Sequence, residues 1–119
     1  MNVTTSESGG AEVRLLEMRL FKLKPGTGEE FDRISCEGTV PMMRRWGITV
    51  LAHGISSTDE DGYYLVRVFD SAEHRLKVSE AFYASEEWQP YEDVVMGMIA
   101  EYQAVTAPLA PGQLAQLSY

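Results

Sequence analysis

Residues Phe82, Tyr83 and Trp88 place three rings within a seven-residue stretch, and Ser85 lies between them. Serine is a preferred helix cap, so one helical pattern ends here and another begins. Rings of this size dominate packing wherever they are buried. A junction that carries so much aromatic surface has to wedge two helices against a common partner. A sheet is the partner that the rest of the sequence supplies.

Residues Val13 to Leu23 alternate: Leu16, Met18 and Leu20 against Glu17, Arg19 and Phe21. Period-two alternation is the signature of a strand. Lys24, Pro25 and Gly26 stop it. A helix follows, with Thr27 as its cap and Glu29 and Glu30 at the positive end of its dipole. Phe31, Ile34, Gly38, Met42 and Trp46 form its buried stripe. Pro41 falls inside that stripe and should kink or split the helix. Arg44 and Arg45 suit its C-terminal end, and Gly47 terminates it.

Ile48 to Ser56 reads as a second strand, Asp59 to Gly62 as a polar turn, and Tyr63 to Phe69 as a third strand. Asp70 or Ser71 caps the next helix, whose buried face would hold Ala72, Leu76, Ser79 and Phe82 or Tyr83. Ser85 caps another, with Tyr91, Val94, Val95, Met98 and Tyr102 as its stripe. Gln103 to Ala107 is a short final strand. The order is α+β and ferredoxin-like, βαββαβ with a split second helix. Residues 1–12 read as a disordered leader, 13–107 as the domain, and 108–119 as a tail or arm.

With 119 residues there is room for one domain. Acidic residues outnumber basic ones 18 to 10, and the formal charge is −8. Such a chain repels phosphate, which argues against nucleic acid and anionic membranes as partners. The single cysteine, Cys36, allows no intrachain disulfide and fits a reducing cytoplasm. Residues 1–12 lack the basic start and apolar core of a signal peptide.

Helices can cover only one face of such a sheet. If Leu16, Met18 and Leu20 face them, together with Tyr64, Val66 and Val68, the other face holds Glu17, Arg19, Phe21, Tyr63, Leu65, Arg67 and Phe69. That face is too apolar to leave wet, and exposed apolar patches mark interfaces. Two sheets packed face to face would cover it and enclose a cavity.

Several stretches carry a family resemblance: Leu23-Lys24-Pro25-Gly26, Pro41-Met42-Met43-Arg44-Arg45-Trp46-Gly47, Phe69-Asp70-Ser71, the segment from Phe82 to Trp88, and Ile99-Ala100-Glu101-Tyr102. Together they span residues 13 to 107. In them the chain resembles a bacterial member of the NIPSNAP-like branch of the dimeric α/β-barrel superfamily. The resemblance implies a homodimer whose sheets form a barrel. It implies no single activity, since relatives include cofactor-free monooxygenases, isomerases, dehydratases, cyclases and haem-handling proteins. Function has to come from the site.

His53 is one of two histidines and sits inside a strand, which suits a general acid or base. The competing role is a half-buried histidine bonded to backbone. Glu17, Arg19 and Arg67 fall on neighbouring strands. The arginines could hold an enolate, phenolate or carboxylate while Glu17 moves a proton. They could equally form a salt-bridge network that satisfies buried charge. Phe21, Tyr63, Leu65 and Phe69 would supply an apolar wall. Trp88, Tyr83 and Tyr91 could line a pocket mouth, with core packing as the competing role.

His74 reads as a surface residue and Cys36 as a buried structural thiol. No ligand spacing suggests a metal, and no glycine-rich loop suggests a nucleotide, so no cofactor is expected. The expected protein is a cytoplasmic homodimer acting without cofactor on a small apolar or aromatic metabolite. The alternative is a non-catalytic binding or accessory protein built on the same barrel.

Overall fold

Strand β1, Arg14–Leu23, is the centre of the architecture. The computed structural model describes residues 13–110 and 112–113. The expected leader lies outside the described residues, as does the tail beyond 110 apart from 112 and 113. β1 is followed by α1 (Gly28–Ile34), a π-helical turn (Ser35–Thr39) and α2 (Val40–Arg45). Then come β2 (Thr49–Ile55), β3 (Gly62–Phe69), α3 (Ala72–Tyr83), α4 (Gln89–Met98) and β4 (Ile99–Leu109).

The sheet has the order β2-β3-β1-β4, and every neighbouring pair is antiparallel. This is the ferredoxin-like fold expected from the sequence. No helix among the described residues is long and apolar enough to cross a membrane.

Pro41 acts as expected, with a specific outcome. It lacks an N–H, and its ring crowds the preceding turn. The chain answers by widening that turn: the Val40 N–H bonds to the Ser35 carbonyl, five residues back. The helix is thus divided without a break. Gly47, at φ +87°, then ends α2 in the left-handed region. Ser71 caps α3 by accepting a hydrogen bond from the His74 N–H at 3.0 Å.

Other expectations are corrected. α4 starts at Gln89, so Ser85 caps only the turn before it, accepting from the Trp88 N–H at 3.2 Å. The helix stops at Met98 and β4 begins at Ile99, which puts Tyr102 on a strand. Val94 and Leu76 are exposed rather than part of a buried stripe.

The largest correction concerns the faces of the sheet. Tyr63, Leu65 and Phe69 pack in one cluster with Phe31, Met43, Phe82 and Trp88 from the helical layer. Glu17 and Arg67 lie under the same layer and are 0% exposed. The helices therefore cover the face expected to point away from them. Met18, Leu20, Leu51 and Val105 are left exposed at 38–56%. Alternation shows that two faces differ but not which one the helices cover. Charge can go beneath them here because both Glu17 oxygens are paired with arginines.

Candidate functional site

Between the sheet and the helices lies a cavity of about 360 Å³. Its floor is the helix-facing side of β1, β2 and β3, which contribute Arg19, Phe21, His53, Tyr63 and Leu65. Its roof comes from the helices and includes Phe31, Met43, Tyr83, Trp88 and Val95. Much of this lining is apolar, as in small-molecule sites generally; Ser35, Thr39 and Glu92 also line it, and two polar clusters stand out.

The first polar group is a chain of hydrogen bonds. Tyr63 Oη donates to Asp32 Oδ1 at 2.6 Å and lies 2.8 Å from His53 Nδ1. Burial, and then the hydrogen bond to Asp32, hold the Tyr63 phenol well above its ordinary range. The phenol therefore keeps its proton and gives it to Asp32. The remaining bond requires His53 Nδ1–H to donate to Tyr63, which assigns the tautomer and leaves Nε2 with a free lone pair. This pattern, a ring nitrogen oriented by a partner that is itself held by a carboxylate, is what a general base needs.

The second group is cationic. Arg67 Nε donates to Glu17 Oε1 at 2.6 Å, Arg75 Nε donates to Oε2 at 2.7 Å, and Arg19 Nε lies 3.3 Å from Oε1. Burial alone would raise the Glu17 carboxyl, but the bond and charge of Arg67, with Arg19 and Arg75, bring it from 4.5 down to about 2. One carboxylate thus faces three guanidiniums, and the cluster retains positive charge inside an acidic protein. Tyr83 Oη joins it, accepting from Arg67 Nη1 at 3.2 Å and Arg19 Nη1 at 3.5 Å. Arg19 and Tyr83 carry that positive potential to the cavity wall.

No protein-family profile matches the chain, and no curated protein matches it. Solved structures do. A NIPSNAP family protein from Agrobacterium tumefaciens superposes with a TM-score of 0.75 at 13% identity, covering 87% of this chain and 90% of that one. The fold is one that NIPSNAP family proteins share. A NIPSNAP domain protein from Burkholderia xenovorans gives 0.73 at 18% identity, over 81% of this chain and 94% of its own. A Bacteroides thetaiotaomicron protein, provisionally described as an antibiotic biosynthesis monooxygenase, gives 0.67 at 18%, over 86% and 95%. At these identities the likeness is one of fold.

Within this fold, the cavity gathers His53, Arg19, Phe21, Tyr63, Leu65 and Trp88 from the residues singled out in the sequence. Glu17, Arg67 and Phe69 do not line it; they are buried beneath it. The cavity within this chain lies between sheet and helices, on the face expected to meet a second sheet. Trp88 fills both roles weighed for it: it is buried, edge-on to Tyr83 at 5.1 Å, and its Nε1–H donates to Glu92 Oε1 at 3.0 Å.

Cys36 is exposed rather than buried. His74 is half-buried and caps locally, its Nδ1 accepting from the Asp70 N–H at 3.1 Å. Sequence reasoning missed Asp32, which reaches Tyr63 from another element and carries no local signal. It also missed Tyr102, because the extent of β4 was underestimated.

Proposed function

We propose that this chain is a small homodimeric enzyme that moves a proton on an apolar or aromatic metabolite bearing an acidic C–H or O–H. His53 Nε2 takes the proton. Its electron pair stays on the substrate as an enolate or phenolate, whose charge is met by Arg19 at the cavity wall, with Tyr83 beside it. Asp32 and Tyr63 are positioning residues that hold the tautomer. Glu17 and Arg67 act from beneath, by fixing Arg19 and Tyr83. Such an anion is the common precursor of isomerisation, cyclisation and dehydration, and of oxygenation when dioxygen is the co-reactant. The fold neighbour described as a monooxygenase is compatible with the last.

The observation that carries this reading is the pairing, in one largely apolar cavity, of an oriented imidazole with an arginine from a net-positive cluster. Homodimerisation rests on the exposed Met18, Leu20, Leu51 and Val105 on the outer sheet face.

A second reading has one specific support. Arg67 is locked by Glu17, as a structural network would be. In that case the chain binds its ligand without turning it over.

Trp88 fluorescence reports binding of a probe, a hydroxynaphthoquinone being suitable. Arg19→Ala should weaken binding of the ionised probe about 10–100-fold, as expected for a hydrogen bond to a charged group. Against a turned-over substrate, His53→Ala should lower the rate about 10²–10⁴-fold with the fold intact. Unchanged turnover in His53→Ala removes the base role. Intact binding with no turnover of any acidic aromatic promotes the second reading.

A further inference from the structure

Asp32, Cys36 and His53 bring a carboxylate oxygen, a thiol sulfur and an imidazole nitrogen within 4.8 Å of one another. They come from different elements. Asp32 lies in α1, Cys36 one turn later in the π-helical turn, and His53 in β2. We propose that these three side chains form a binding site for one divalent transition-metal ion of the zinc class, with a further coordination position left to water or ligand.

The donor set argues for the class of ion. Thiolate and imidazole select zinc-like ions over magnesium or calcium, which prefer oxygen alone. Three protein ligands with an open position match reactive zinc sites rather than closed structural ones.

The surroundings agree. The Tyr63 hydroxyl, bonded to Asp32 Oδ1 at 2.6 Å and to His53 Nδ1 at 2.8 Å, ties two of the three ligands to one another. Cys36 Sγ already lies 3.8 Å from Asp32 Oδ1. Cys36 sits on a widened helical turn, a feature concentrated at functional sites. It is also exposed, so a hydrated ion can reach it.

The inference stands apart from the proton-transfer reading, which makes no use of Cys36. The two meet at His53, where metal and substrate proton would compete for one imidazole. The test is a titration of the purified full chain, kept reduced, with cobalt(II). Expected are one ion per chain, a thiolate-to-cobalt charge-transfer band in the near ultraviolet, and intense visible bands of a low-coordinate site, all reversed by zinc. Cys36→Ser should abolish the charge-transfer band. Tyr63→Phe, which keeps all three ligands, should weaken cobalt about 10–100-fold. No charge-transfer band at saturating cobalt overturns the proposal. So does a band that persists unchanged in both Asp32→Asn and His53→Ala, because that band would belong to the lone thiol. Absorption rather than turnover is read, so failure here leaves the proton-transfer reading standing.

Discussion

Glu17 and Arg67, fifty positions apart, form a 2.6 Å ion pair in which neither side chain is exposed. The Glu17 carboxyl is depressed from 4.5 to about 2 in the folded chain. A carboxylate with a depressed folded value stabilises the fold fully above its unfolded value. That contribution is lost as pH falls through the folded value. The window here runs from pH 4.5 down to about 2. The shift corresponds to about 3 kcal/mol. Denaturant melts across that range should show the loss in the wild type and a flatter profile in Glu17→Gln. At neutral pH, Glu17→Gln should itself cost about 3–5 kcal/mol, since it strips three guanidiniums of their counter-charge.

Gly38 sits where a Cβ would come 2.7 Å from Tyr91 Oη and 2.8 Å from a ring carbon. Gly38→Ala should therefore cost about 1–3 kcal/mol through overpacking, despite alanine's better helix propensity. In a Tyr91→Ala background the same change should stabilise by up to about 1 kcal/mol. A double-mutant cycle in urea measures the difference, and additive effects would mean that Tyr91 simply moves aside.

Trp88→Ala should cost about 3–5 kcal/mol, because the buried ring packs on Phe82 and Tyr83. The urea midpoint reads the stability. The same variant removes part of the cavity roof, so probe binding, read by calorimetry because the fluorescent ring is gone, should weaken as well. A lost midpoint with intact probe binding would confine the ring to a packing role.

Leu20→Lys places a charge on the exposed outer face, where Leu20 pairs with Tyr64 and Gln103. If two copies meet there over about 2,000 Å², this variant should be monomeric in light scattering while the wild type is dimeric. A wild type that stays monomeric on concentration removes the dimer from the proposal.

The order of elements was legible because each carries a local signal: alternation in β1, Pro41 and Gly47 around α2, and the aromatic junction before α4. The facing of the sheet was not, because alternation is symmetric until something decides which set the helices cover. The deciding fact is the pairing of Glu17 with Arg19, Arg67 and Arg75, a contact made across three elements. His53 and Tyr63 could be singled out as strand residues. Asp32, which orients them, could not, since it lies 31 positions from Tyr63 and meets it only after folding.

The alternation of β1 also makes this strand unusually intolerant of length change. Its odd positions, Glu17, Arg19 and Phe21, face the helical layer, the last two lining the cavity, and its even positions from Leu16 to Leu20 form the outer wall. A single-residue insertion between Phe21 and the anchored Leu23, if not taken up as a bulge, would exchange the two sets at once, sending leucines into the ligand space and arginine and glutamate to the outside. Insertions of two residues should be better tolerated than insertions of one, which gives this protein a parity rule for how its first strand can evolve.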